Sequence, residues 1–158
     1  MKVERVTEAN EALAEAVARL VPQLSPRRQP AGIVELVELV ATPGTSLIVA
    51  RDGDDVLGML TLIVYRVPTG IRAWIHDVVV DESARGRGVG EALTQEALRQ
   101  AEGAGAISVE LTTRPEREAA NRLYRRLGFE QRETNAYVWR PGEPGSLSNE
   151  VREFDGSS

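Results

Sequence analysis

The chain has 158 residues, enough for one domain with a core of its own, since a domain takes about 100–200 residues. An apolar fraction of 42% and a charged fraction of 27% are those of an ordinary globular protein, and a net charge of −5 makes nucleic acid a poor partner. With no cysteine and His76 as the one histidine, disulfides, thiolate or multi-histidine metal sites and a cysteine nucleophile are excluded.

Lys2, Glu4, Arg5 and Glu8 interrupt the N-terminus before any apolar stretch forms, so no leader peptide is expected. No apolar run approaches the roughly 20 residues of a membrane span, and a cytoplasmic protein without membrane contact is expected. Thr7 suits an N-cap, and Leu13, Ala16, Val17 and Leu20 then repeat at helical spacing until Pro22 and Pro26. Ile33, Leu36, Val37 and Val40 predict a second helix over residues 30–41, which Pro43 and Gly44 stop. Strands are predicted over 47–50, 56–64 and 71–80, with the first two joined by the turn Asp52-Gly53-Asp54-Asp55.

Val89, Leu93, Ala97 and Ala101 share one face of a third helix. Ile107, Val109 and Leu111 alternate with polar residues, as in a half-buried strand. A fourth helix begins near Pro115, buries Ala120, Leu123, Tyr124 and Leu127, and stops at Gly128. Residues 129–139 read as a last strand, and 141–158 have the composition of a tail. The order α, α, β, β, β, α, β, α, β predicts an α/β fold with a mixed sheet and helices on its faces, in one domain over 1–140.

Between the strand ending Asp77-Val78-Val79-Val80 and the third helix lies Arg85-Gly86-Arg87-Gly88-Val89-Gly90. A glycine-rich turn at a strand-to-helix junction lets backbone N–H groups converge, and the helix adds the positive end of its dipole. That is an anion site suited to phosphate. Gly90 is followed by Glu91, so the Gly-Lys-Ser/Thr ending of a nucleotide P-loop is missing. Glu91 also occupies the last glycine position of the dinucleotide fingerprint.

Arg85, Gly88 and Gly90 resemble the coenzyme A pyrophosphate loop of the GNAT superfamily of acetyltransferases. Asn121-Arg122-Leu123-Tyr124-Arg125-Arg126-Leu127-Gly128-Phe129 is similar to that family's later motif, a helix ending at Gly-Phe. The resemblance implies a mixed sheet in which two parallel strands, here 71–80 and 107–112, splay apart to admit acetyl-CoA. It implies that the backbone around Val78, Val79 and Val80 pairs with the pantetheine amides. Arg85, Gly86, Arg87, Gly88, Val89, Gly90 and Glu91 would then hold the pyrophosphate, with Arg85 and Arg87 adding charge-assisted bonds.

The resemblance further implies transfer of acetyl to a primary amine of a small molecule or peptide by direct attack, without a metal, in an enzyme that forms homodimers. Tyr124 then stands as the acid for the departing thiolate. The base is His76, Asp77 or a water chain to backbone carbonyls. Many relatives carry a glutamate near this point, and neighbours on a regular strand face apart unless a bulge intervenes. Arg117 stands where the family often has an asparagine, and Asn121, on the face of Tyr124, can take over a cofactor contact. Arg114 and Arg117 are candidates for the 3′-phosphate, and Trp74 and Tyr65 for an acceptor pocket. The alternative function is a CoA-binding sensor that kept the loop and lost turnover.

Overall fold

Three successive strands form the centre of the fold because each is joined to the next by a tight turn. In the computed structural model, which describes residues 1–143, β2 (Thr45–Asp52), β3 (Asp55–Val67) and β4 (Gly70–Val80) make an antiparallel meander. The turn at Gly53 and Asp54 is the one the sequence predicts, with Asp52 opposite Asp55. Two further strands complete a sheet in the order β1-β2-β3-β4-β5. β1 (Lys2–Arg5) pairs antiparallel with β2, and β5 (Val109–Glu110) pairs parallel with β4. The sheet is therefore mixed, as expected.

Helices cover both faces. On one side, α1 (Glu11–Leu24) packs Leu13, Ala16, Val17 and Leu20 against Leu47, Val49, Met59 and Val79, with α2 (Ile33–Ala41) adding Leu36. On the other, α3 (Val89–Gly103) packs Val89, Leu93, Ala97 and Ala101 against Ile48, Leu60, Leu62 and Ile75. Both stripes are the ones that helical spacing predicts. The fourth helix, α4 (Glu118–Arg126), buries Tyr124.

Several expectations are corrected. β1 has no counterpart in the sequence reading; it is a short edge strand of sequence KVER, too charged to carry a periodic apolar signal. The strand expected over 129–139 is absent, and Tyr137, Val138 and Trp139 are exposed. Strand-forming residues need a neighbouring ladder, and this segment joins none. α1 is capped by Asn10 rather than Thr7, with Oδ1 of Asn10 accepting from Leu13 N at 2.9 Å. Pro22 lies inside the last turn of α1 instead of ending it, and α2 starts at Ile33 and leaves Val37 exposed. Among the described residues no helix is long and apolar enough to cross a membrane. The expected tail falls, from residue 144 onward, outside the described residues.

Candidate active site

The site begins with a defect in β4. Thr61 pairs with His76, whereas Met59 pairs with Val79. Two steps on β3 thus face three on β4, which is one extra residue and a bulge. The extra residue is Asp77, with φ +52, the one non-glycine residue at positive φ among those described. Aspartate tolerates this region better than most side chains do. Directly paired residues share a face of the sheet, so His76 stands on the face of Thr61. Asp77 and Thr61 both line the cleft under α1 and α2. The bulge therefore turns two sequence neighbours to one side, and it restores the alternation that packs Val78 and Val80 toward α3 and Val79 toward α1. Trp74 stacks on His76, with ring centroids 5.9 Å apart.

Beyond the bulge, one edge of β4 is open. β5 meets β4 only at Ala73↔Val109 and Trp74↔Glu110. The rest of β4, through Val80, has β3 on one side and no strand on the other. Parallel strands that part in this way leave a row of backbone donors and acceptors facing a gap. The splayed pair expected from the sequence is present, with a fifth strand shorter than the predicted 107–112.

The open edge leads to the glycine loop. A 3-10 turn at Glu82–Ala84 follows β4. Gly86 and Gly88 then adopt φ +77 and +76, and Gly88 is the N-cap of α3 without a side-chain cap. A Cβ at either glycine would meet nothing within 4 Å, so backbone conformation rather than space requires glycine there. The first α3 amide with a protein acceptor is that of Ala92, bonded to the Gly88 carbonyl at 3.0 Å. Among the described residues, the N–H groups from Arg85 to Glu91 have no protein acceptor. Converging free amides at the start of a long helix suit an anion such as a pyrophosphate.

Two of the charged side chains around the loop are already engaged. Arg87 pairs with Asp52 at 3.2 Å, and Glu91 with Arg126 of α4 at 2.8 Å. Both pairs are exposed enough to rearrange at little cost. Arg85 is exposed.

α4 carries Tyr124, which is 8% exposed and meets the Phe129 ring edge-on at 5.6 Å. Burial pushes the Tyr124 phenol above its ordinary value, and the nearby Arg117 charge partly offsets that. Asn121 donates from Nδ2 to the carbonyls of Arg114 and Arg117, at 3.0 and 2.9 Å. That contact holds the loop before α4 against the helix. Arg117 itself donates to the Leu24 carbonyl at 2.9 Å and so joins α4 to the end of α1.

One group of positioning contacts is invisible in the sequence. Asp81, at the end of β4, is buried; it pairs with Arg19 of α1 and accepts from Gln23 at 3.4 Å and from Ser83 N at 3.0 Å. Arg19 also donates to the Val56 carbonyl, and Gln23 accepts from Glu82 N at 2.9 Å. α1 is thereby clamped to the turn that presents the glycine loop. No local pattern signals contacts between residues some sixty positions apart.

Two concavities bear on function. The larger, about 570 Å³, lies at the far edge against β1, where Lys2, Glu4 and Arg51 already pair with one another. The smaller, about 190 Å³, lies at the bulge beneath α1 and α2. Only the smaller one is lined by a candidate catalytic residue, Asp77. Tyr65 is half-buried and, like Trp74, stands apart from both.

Comparison with known proteins agrees with this geometry. The model of the acetyltransferase (GNAT) family matches residues 12–129. An uncharacterized N-acetyltransferase of Methanocaldococcus jannaschii is 44% identical over 61 residues, which are 39% of this chain and 27% of that protein. The matched stretch thus spans about a quarter of that relative's length. A transcriptional regulator from Bacillus halodurans C-125 superimposes with a TM-score of 0.75 and 26% identity, over 88% of this chain and all of its own. AAC(6′)-Iy, solved in complex with the bisubstrate analog CoA-S-monomethyl-acetylneamine, has a TM-score of 0.73 and 19% identity, over 88% of this chain and 97% of its own, and shares the fold. With its family model matched from α1 to the end of the Tyr124 helix, the chain belongs to the GNAT acetyltransferase family.

Proposed function

We propose that this chain transfers the acetyl group of acetyl-CoA to a primary amine of a small molecule or peptide by direct attack. The observation that carries this reading is the open edge of β4 running into free amides at the N-terminus of α3. A linear molecule with amides in its middle and a pyrophosphate at its end fits that combination. The same fold in AAC(6′)-Iy, solved with a CoA bisubstrate analog, supports it. Val78, Val79 and Val80 supply backbone to the pantetheine arm. Arg85, Gly86, Arg87, Gly88, Val89, Gly90 and Glu91 surround the pyrophosphate, and we assign Asn121 of α4 a further contact to the cofactor.

Bound acetyl-CoA supplies a thioester carbonyl open to attack. An alkyl amine has a pKa of about 10, so only about one in a thousand is free base at pH 7. Asp77 or His76, on the cleft face of β4, takes the ammonium proton directly or through water. The amine nitrogen then forms the N–C bond as the C–S bond breaks. Tyr124 donates its proton to the departing sulfur, the second proton lost by the attacking nitrogen restores the Tyr124 phenol through water, and the proton gained by the base returns to solvent. A phenol is protonated at neutral pH, the state an acid needs, and burial of Tyr124 favours that form further. We assign residues 1–140 to one such domain and 141–158 to its tail, and we expect a homodimer.

The melting temperature with and without acetyl-CoA tests this reading. Ligand at a hundred times its Kd adds about 2.7 kcal/mol. For a domain of this size that is a rise of roughly 5–10 °C. No rise would remove the reading's main support. A rise without CoA-thiol release from any amine would make the protein an acyl-CoA-binding module instead.

A further inference from the structure

The cleft at the bulge carries chemistry that selects among amines. Its walls are side chains of Val21 and Leu24 from α1, Leu39 from α2 and Met59 from β3. Asp77 is the one carboxylate among its lining residues, and Arg28 stands with it as the one cation. Its volume of about 190 Å³ is below the roughly 300–1,000 Å³ of pockets for drug-sized ligands. It equals about six water volumes, the size of one alkyl or aryl group.

The cleft also lies next to the proposed chemistry. Asp77 immediately precedes the open backbone of Val78 to Val80. Leu24, in its wall, accepts at its carbonyl from Arg117, which bears on Tyr124.

We infer that the acceptor is a compact monoamine with an apolar body, its ammonium group held by Asp77 and its alkyl or aryl group in the cleft beneath α1 and α2. An ammonium on a carboxylate makes a charge-assisted hydrogen bond, and an apolar body needs no further partner. A polyamine brings a second and third ammonium into a cleft whose other charge is Arg28. A polyhydroxylated aminosugar brings more hydroxyls than Arg28, Gln29, Thr61 and Asp77, the polar residues of a mostly apolar lining, can partner, and each hydroxyl left unpaired carries a desolvation cost. A multi-ring aminosugar also exceeds the volume. The inference rests on the acetyl-transfer reading above.

CoA-thiol release tests it with the full chain, saturating acetyl-CoA and a panel of 2-phenylethylamine, hexylamine, spermidine and kanamycin. The expected result is a kcat/KM for either monoamine at least tenfold above that for spermidine or kanamycin. Val21→Trp and the milder Leu39→Phe, which fill the cleft, should lower monoamine turnover tenfold or more and keep the melting shift with acetyl-CoA. Equal or faster turnover of spermidine or kanamycin overturns the inference and leaves the acetyltransferase reading standing. So does an intact acetyl-CoA shift with no release from either monoamine. Absence of the acetyl-CoA shift in the unaltered chain overturns both.

Discussion

Asp77 follows His76 directly, yet both stand on the face of β4 that looks toward α1 and α2. The extra residue of the bulge turns Asp77 there, at the expense of a positive φ of 52°. A carboxylate and an imidazole thus come to the same side of the strand, next to the backbone that borders the gap between β4 and β5. The backbone conformation makes a stability prediction separable from the chemistry. Asp77→Gly should change stability by less than about 1 kcal/mol, because glycine adopts this φ freely. Asp77→Val should cost about 1–3 kcal/mol, because a β-branched residue is strained there. Urea denaturation of the two variants checks the order. Both should lose amine turnover, since both lack the carboxylate.

Tyr124→Phe removes one hydroxyl and keeps the edge-on contact with Phe129. Loss of a general acid typically costs a factor of about 10²–10⁴. We expect kcat to fall at least a hundredfold, with the melting shift by acetyl-CoA unchanged. Unaltered kcat would take the acid role away from Tyr124.

The pH profile follows from the same residue. Burial raises its pKa above the ordinary phenol value, so the phenol stays protonated across the neutral and mildly alkaline range. The free-base fraction of the amine meanwhile grows tenfold per pH unit below its own pKa. The rate at subsaturating amine should rise from pH 6 to 9 and show no fall due to Tyr124 below about pH 10. A falling limb near pH 8 that Tyr124→Phe abolishes would contradict this assignment.

Gly88→Ala should act through backbone strain alone, because no atom lies within 4 Å of a Cβ placed there. A left-handed conformation at alanine costs about 1–2 kcal/mol. We expect a melting temperature lower by roughly 2–8 °C and a KM for acetyl-CoA raised tenfold or more. An unchanged KM would mean that the loop is a turn without a phosphate.

The clamp between α1 and the end of β4 predicts an asymmetry. Arg19→Met leaves the buried Asp81 carboxylate without its cation and should cost about 2–3 kcal/mol. Asp81→Asn keeps an acceptor for the Ser83 amide and leaves a half-exposed arginine that water can solvate, for a cost of about 1 kcal/mol. Thermal unfolding of the two variants gives the comparison. Equal losses would show that the ion pair does not dominate this contact.

Local periodicity was enough to read the buried stripes of α1 and α3, the hairpin at Gly53 and the glycine loop. In each case neighbouring residues alone decide which side chains share a face or which φ a turn needs. The same signal misled at residues 129–139, where strand-forming side chains have no ladder to join, and it was silent at Lys2–Arg5, where charge hides an edge strand. The parting of β4 from β5 was legible as a resemblance, and its extent was not, since pairing depends on partners far along the chain.

What the sequence by itself determined is the glycine-rich turn into α3 and the helix that bears Tyr124, because both depend on residues within a few positions of each other. Only the tertiary structure decided that His76 and Asp77 share a face, that Arg19 of α1 locks Asp81, and that two helices roof a small apolar cleft over one carboxylate. Those are consequences of register and packing between distant segments, which the spacing of side chains along one segment does not encode.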